Sequence, residues 1–152
     1  MSHQRAPVYL WRDPHLYLVL AGTAMVGLGR WALLGPGYAR ASVWDPWELV
    51  AMLPLDPVVE EWIFRGVLQG ELLRHSRWRR AHLGLTRANL VTSLLFAAMH
   101  LIHQPPLWAL AVVVPSLVLG HFRERYGKLW LPIALHILFN AVYLLAGLSP
   151  GG

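Results

Sequence analysis

Pro54-Leu55-Asp56-Pro57-Val58-Val59-Glu60-Glu61-Trp62-Ile63-Phe64-Arg65 is the stretch whose reading decides the fold of this chain. Two neighbouring carboxylates and an arginine lie inside a run, Trp47 to Leu73, that otherwise reads as membrane-spanning. Ionisable groups at bilayer depth are costly, so they are functional-site candidates by default. In a helix Glu61 and Arg65 stand one turn apart and can form a structural ion pair. Glu60 is turned ~100° away and cannot easily share that arginine. A carboxylate left without a full counter-charge suits a general base. Pro54 and Pro57 remove backbone donors just ahead of the carboxylates, so a kink or split is expected there, with neighbours or water satisfying the freed carbonyls.

The chain around this stretch has 152 residues, of which 56% are hydrophobic and 14% charged, and its basic excess of +5 is gathered in short blocks between apolar runs. A soluble domain of this size would carry more charge on its surface. Five apolar runs approach the ~20 residues needed to cross ~30 Å of hydrocarbon: His15 to Leu34, Trp47 to Leu73, Ala88 to His103, Leu107 to His121 and Leu129 to Leu148. The expected fold is therefore all-α, a polytopic transmembrane helical bundle of about five spans, forming a single integral-membrane domain over 1–152. Gln104-Pro105-Pro106 reads as a tight hairpin between the third and fourth spans. The first run continues to Leu34 without a polar cleavage region and is expected to be retained rather than removed as a signal peptide.

Ten of the thirteen basic residues fall in the amino-terminal tail (Arg5, Arg12), the segment from Arg74 to Arg87 and the segment from Arg123 to Lys128. Five alternating spans put all three on one side, which predicts a cytoplasmic amino terminus and an external carboxyl terminus. Trp11, Trp31, Trp44, Trp47, Trp78, Trp108 and Trp130 lie near span ends as an aromatic belt would, while Trp62 is expected deep beside the carboxylates. The arginine-rich loop fits contact with anionic lipid headgroups, and no base-stacking platform suggests nucleic acid. His3, His15, His75, His82, His103 and His121 fall in the loops or at span ends, where solvation or interfacial hydrogen bonding is the default.

Two further pairs repeat the spacing of four on one helical face, Phe96 with His100 in the third span and His136 with Asn140 in the fifth. At 1.5 Å per residue from the basic side, Glu60 and His100 each come out ~20 Å deep, Asn140 ~17 Å, and His136 one turn shallower. Groups from three helices can thus converge. A glutamate and a histidine that hold a water can aim it at a carbonyl carbon, while a second histidine and an asparagine amide donate to the developing oxyanion. The absence of cysteine excludes a thiolate nucleophile and a disulfide framework. Ser93 lacks a glycine-flanked nucleophile motif, Asp56 has no intramembrane aspartate partner, and no His-Glu-x-x-His motif occurs. A zinc ion held by His100, His136 and Glu60 would activate the same water and stays open as an alternative. So does a non-enzymatic immunity or scaffold role. An ion-coupled carrier would show inverted repeats, and none is seen.

Glu-Glu-x-x-x-Arg at Glu60 to Arg65, Phe-x-x-x-His at Phe96 to His100, and His-x-x-x-Asn at His136 to Asn140 resemble the three ordered motifs of the CAAX prenyl protease type II and bacteriocin-processing (CPBP, Abi) family of intramembrane endopeptidases. The resemblance covers Trp47 to Leu148. It implies that Glu60 and His100 activate water, that His136 and Asn140 stabilise the oxyanion, and that Glu61, Arg65 and Phe96 support the site. Members of the family have been regarded both as metalloproteases and as metal-independent glutamate proteases; the expectation here is the latter, a glutamic-type hydrolysis without a cofactor, with a membrane-embedded or carboxyl-terminal segment as substrate and a multi-pass location in a bacterial inner membrane. Compact bacterial relatives resemble peptidases dedicated to the carboxyl-terminal sorting tails of exported proteins. One departure is length, with a single span ahead of the first motif. Gly66 and Gly70 form a small-residue face expected to pack a neighbouring helix of the same chain.

Overall fold

A computed structural model describes residues 9–34, 45–82 and 84–145 of the chain. Helix α1 (Pro14–Leu34) starts where Asp13 caps it, its Oδ1 accepting from the His15 amide at 3.0 Å. Residues 46–72 then form one helical rod made of α2 (Pro46–Val50), a π-helical segment π1 (Ala51–Leu55), α3 (Asp56–Glu61), a second π-helical segment π2 (Trp62–Leu68) and α4 (Gln69–Leu72). Of the kink or split expected at Pro54 and Pro57, the split is not made. A regular helix would set the Pro54 ring against the Val50 carbonyl, which has no N–H to meet there. The chain widens instead, the Asp56 amide bonding to the Ala51 carbonyl five residues back, and the rod continues.

A two-stranded hairpin, β1 (Ala81–His82) and β2 (Leu85–Thr86), follows, with Gly84 at φ +80° supplying the left-handed turn residue. Thr86 caps α5 (Arg87–His100), its hydroxyl accepting from the Asn89 amide. After Gln104 and Pro105 come α6 (Pro106–Ala111) and α7 (Val113–Tyr126), then α8 (Trp130–Leu145). The third run ends as a helix at His100, with Leu101 to His103 in turns rather than in the span. The fourth runs on past His121 to Tyr126, because the left-handed cap is Gly127 and not the charged block before it. Arg123 and Arg125 therefore stand on a helix and reach inward.

Helix α7 lies between α5 and α8, and α8 also touches α1, α3 and π1. An apolar cluster of Leu16, Leu119, Phe122, Leu131 and Leu135 joins α1, α7 and α8. Elsewhere the usual order of a soluble protein is inverted. The largest fully buried side chains include Arg65, Gln69, Glu61, Asn89, Thr92 and Asp13, whereas Leu33 is 85% and Trp47 79% exposed among many large apolar side chains on the outside. Buried polar groups and a broad exposed apolar surface are the informative departures from a water-facing fold. Trp62, expected beside the carboxylates, belongs to that outer surface at 60% exposure. Gly66 packs on Leu129 of the same chain, where a Cβ would come within 3.2 Å of its Cδ1.

Among the described residues two helices are long and apolar enough to cross a membrane, Pro14–Leu33 and Pro106–Tyr126. With 14 and 16 residues, α5 and α8 extend about 21 and 24 Å, short of a ~30 Å hydrocarbon core.

The start of α1 is held by a polar latch. Asp13 accepts from Arg125 Nε at 2.5 Å, Arg125 Nη2 at 3.1 Å and the Tyr126 hydroxyl at 2.7 Å, with its own side chain fully buried. Burial alone would raise this carboxyl, but the hydrogen bonds from Arg125, Tyr126 and the His15 amide outweigh it and hold it below the usual carboxylate range. A carboxyl depressed on folding contributes stability above its unfolded pKa, about 4, and the contribution is lost as pH falls through the lower folded value. The Asp13 contribution to the docking of α1 is expected to be lost as pH falls below about 4. In Asp13→Asn the docking is expected to be loose throughout. Hydrogen exchange in the first turns of α1 reads both, and an unchanged exchange rate in the variant would remove Asp13 from this role.

Candidate active site

The three motifs meet where α3 and π2, α5 and α8 face one another. Glu61 is the hub: its Oε2 lies 3.2 Å from Arg65 Nε and its Oε1 3.1 Å from His136 Nδ1. Both members of the glutamate–arginine pair are completely buried. Arg65 reaches on to α7, donating through Nη2 to the Ser116 carbonyl at 3.0 Å and the Ser116 hydroxyl at 2.8 Å, and its guanidinium lies 4.7 Å from the centre of the Phe96 ring. Arg123 Nε donates to the Arg65 carbonyl at 3.2 Å, so the misassigned loop arginine supports the site from α7.

A carboxylate can only accept, so His136 Nδ1 carries the proton it gives to Glu61. This leaves Nε2 directed at Glu60, 3.6 Å from its Oε2. As its spacing required, Glu60 does not share Arg65; its 32% exposed side chain opens to the outside of the polar cluster. His100 and Asp56 are also within its electrostatic reach. His100 Nδ1 lies 2.9 Å from the Phe96 carbonyl, which likewise accepts, so its Nε2 is the free acceptor. The Phe96 ring is the spacer between the histidines, at 4.7 Å from the His100 ring and 5.9 Å from that of His136, with Phe64 edge-on behind it at 5.0 Å.

Asn140 sits one turn beyond His136 and donates through Nδ2 to the Met52 carbonyl at 2.7 Å. Proline explains that partner. With Asp56 bonded to Ala51, the next amide in the π pattern would be that of Pro57, which has none, so the Met52 carbonyl is free to accept from outside the rod. The second N–H of the Asn140 amide is left over from this bond. Of the four sequence candidates, Glu60 and His136 face each other, His100 stands across the Phe96 ring from His136 and within electrostatic reach of Glu60, and Asn140 is tied to π1.

Ser116, Arg123 and the Met52 carbonyl had escaped sequence reasoning. Ser116 carried a weak signal, a hydroxyl in an apolar helix; the Met52 carbonyl carried none beyond the proline five residues on. Among the described residues no three His, Asp or Glu side chains are grouped so as to hold a metal ion. His136 Nδ1 is held by the Glu61 carboxylate with Nε2 turned toward Glu60, which is also how zinc-ligating histidines are oriented.

The family model for type II CAAX prenyl endopeptidase, Rce1-like, matches residues 42–142. The chain belongs to this family. The match takes in every candidate residue from Glu60 to Asn140 and starts beyond α1. Rce1-like is a family of proteases whose members are integral membrane proteins, and the outward apolar surface of this chain agrees with that membership. The uncharacterized protein YpbD of Bacillus subtilis (strain 168) is 36% identical over 98 residues, 63% of this chain and 43% of that protein. The chain thus spans less than half the length of that relative. No solved structure matches it.

Proposed function

We propose that this chain is a glutamic-type intramembrane endopeptidase that hydrolyses a peptide bond in or near a membrane-associated carboxyl-terminal segment. The observation that carries this is the bridge Glu60–His136–Glu61, a carboxylate open on one side, facing an imidazole that a second, arginine-held carboxylate keeps in one tautomer. Glu60, with His100 Nε2 as the second acceptor, takes a proton from a water molecule whose oxygen bonds to the scissile carbonyl carbon. The proton passes to His136 Nε2, which then donates, with the second Asn140 N–H, to the oxyanion. When the C–N bond breaks the proton goes to the leaving nitrogen, giving a carboxylic acid and an amine.

We place all five apolar segments in the bilayer as one domain, with a cytoplasmic amino terminus, an external carboxyl terminus and a bacterial inner membrane as its home. Substrate tails would reach Glu60 laterally, from lipid. Mass spectrometry of new peptide termini in membranes carrying the chain or its Glu60→Gln variant tests the activity; identical termini would favour an immunity or scaffold role. The proposed chemistry needs no metal, so cleavage by the purified protein is expected to survive a strong chelator unchanged. Loss of activity on chelation, restored by added zinc, would replace this mechanism with the zinc-dependent one.

A further inference from the structure

Hydrolysis within a membrane consumes water that the surrounding lipid does not supply, and the interior of this fold carries a polar seam that the catalytic residues do not account for. Glu61, Arg65 and Gln69 follow one another at intervals of four on α3, π2 and α4, all fully buried. A regular helix drifts by about 40° over four residues; the wider π2 turn reduces that drift and keeps the three on one face. Opposite them, α7 presents Ser116, Gly120 and Glu124, and α5 presents Asn89, Thr92 and Phe96. Gly120 has no side chain because the Asn89 amide occupies that space to reach the Leu117 carbonyl at 2.9 Å.

At the end of the seam away from Glu60, Gln69 Nε2 donates to the Gly120 carbonyl at 3.1 Å and to Glu124 Oε1 at 2.7 Å, and the Thr86 hydroxyl donates to the same oxygen at 2.6 Å. Glu124 and Thr86 are only partly buried, beside the basic hairpin. Between the two ends, Gln69 Oε1, Thr92 Oγ1 and Arg65 Nη1 are fully buried and have no hydrogen-bond partner among the described residues. Glu61 Oε2 and Arg65 Nε attract each other at 3.2 Å without an aligned hydrogen bond. Buried polar atoms left over in this way are satisfied in folded proteins by ordered water that finds two to four polar partners. The orphans here include donors and acceptors on two facing helices, which is what a bound water requires.

We infer that the seam is a water-binding site: a file of water molecules held by Arg65 Nη1, Thr92 Oγ1 and Gln69 Oε1 links the rim at Glu124 to the glutamate–histidine centre and delivers the water consumed there. The delivery role rests on the proposed hydrolysis; the binding of water does not. Gln69 and Thr92 are positioning residues for that water, without contact to the substrate.

Hydroxyl-radical labelling by X-ray radiolysis of the full-length protein in lipid separates the two, because radicals formed from bound water mark side chains that bulk solvent cannot reach. Phe96 and Phe122 are a matched pair, 2% and 1% exposed; Phe96 touches the seam and Phe122 the apolar cluster. Phe96 is expected to be oxidised several times faster than Phe122, in the wild type and in Glu60→Gln alike. The ratio is expected to fall in Thr92→Val and Gln69→Leu, and a ratio unchanged in both would assign the labelling to water at the glutamate–histidine centre and overturn the file. Equal slow labelling of both rings in the wild type overturns the inference without any variant having to fold. If Phe96 is labelled, the variants should lower kcat several-fold at unchanged KM; unchanged kcat would overturn delivery by this route. Activity lost in Glu60→Gln with a dry seam would sustain the protease and reject the file.

Discussion

Glu60→Gln is expected to lower the rate of peptide cleavage by ~10²–10⁴, the contribution typical of a positioned general base. Glutamine keeps the size of the side chain and much of its hydrogen bonding, but it cannot take the proton of the attacking water. Nothing else in the centre depends on it: His136 remains tied through Nδ1 to Glu61, and Glu61 remains paired with Arg65. The loss should therefore fall on kcat with little change in KM and no change in membrane insertion or thermal unfolding. Cleavage of a reconstituted substrate, followed beside the unfolding temperature in lipid, measures both. Full cleavage by the glutamine variant would end the water-activation role. An equal loss from global destabilisation would show that Glu60 is structural.

The second large effect is expected at the buried ion pair. Removing one partner of a fully buried pair leaves a charge in the interior without compensation, and Arg65→Leu is expected to destabilise the fold by about 3–5 kcal/mol. Ser116 would lose its donor at the same time. Glu61→Leu should be comparably damaging, since it isolates Arg65. The double variant Glu61→Leu/Arg65→Met should recover much of that stability, because apolar side chains of similar volume often replace a buried pair with little loss. It should not recover cleavage, because His136 then has no acceptor to fix its tautomer. Denaturant unfolding in mild detergent gives the coupling energy, and an active double variant would show that Glu61 contributes stability alone.

The position of the centre was legible because each motif has its residues four apart in an apolar segment, with at least one of them polar, a spacing that puts them on one helical face. Glu61 with Arg65 follows from that spacing directly, as does the separation of Glu60 from the arginine. The partners outside each motif were not legible. Which nitrogen of His136 meets which glutamate depends on how α8 packs against α3, and the Ser116 and Arg123 contacts depend on α7 running to Tyr126. That extent was hidden because Arg123, Glu124 and Arg125 read as a loop when counted as charge, whereas folded they are consumed by buried partners. Pro54 and Pro57 read as a kink or split because proline removes a donor; the π turn keeps the helix continuous and the Asn140 amide answers the freed carbonyl.

By itself the sequence determined the class of the molecule, an apolar helical chain of the CAAX protease type with three spaced motifs set in its apolar runs. Hydrophobic composition and period-four spacing are local properties, and local properties survive in one dimension. Only the tertiary structure decided that Glu61 also holds His136, that Arg65 reaches Ser116, that Asn140 answers a carbonyl freed by Pro57, and that a polar seam runs inside while leucine and tryptophan face outward. Those are contacts between residues some 50 to 90 positions apart, set by which helical faces are driven together when every buried polar group must find a partner.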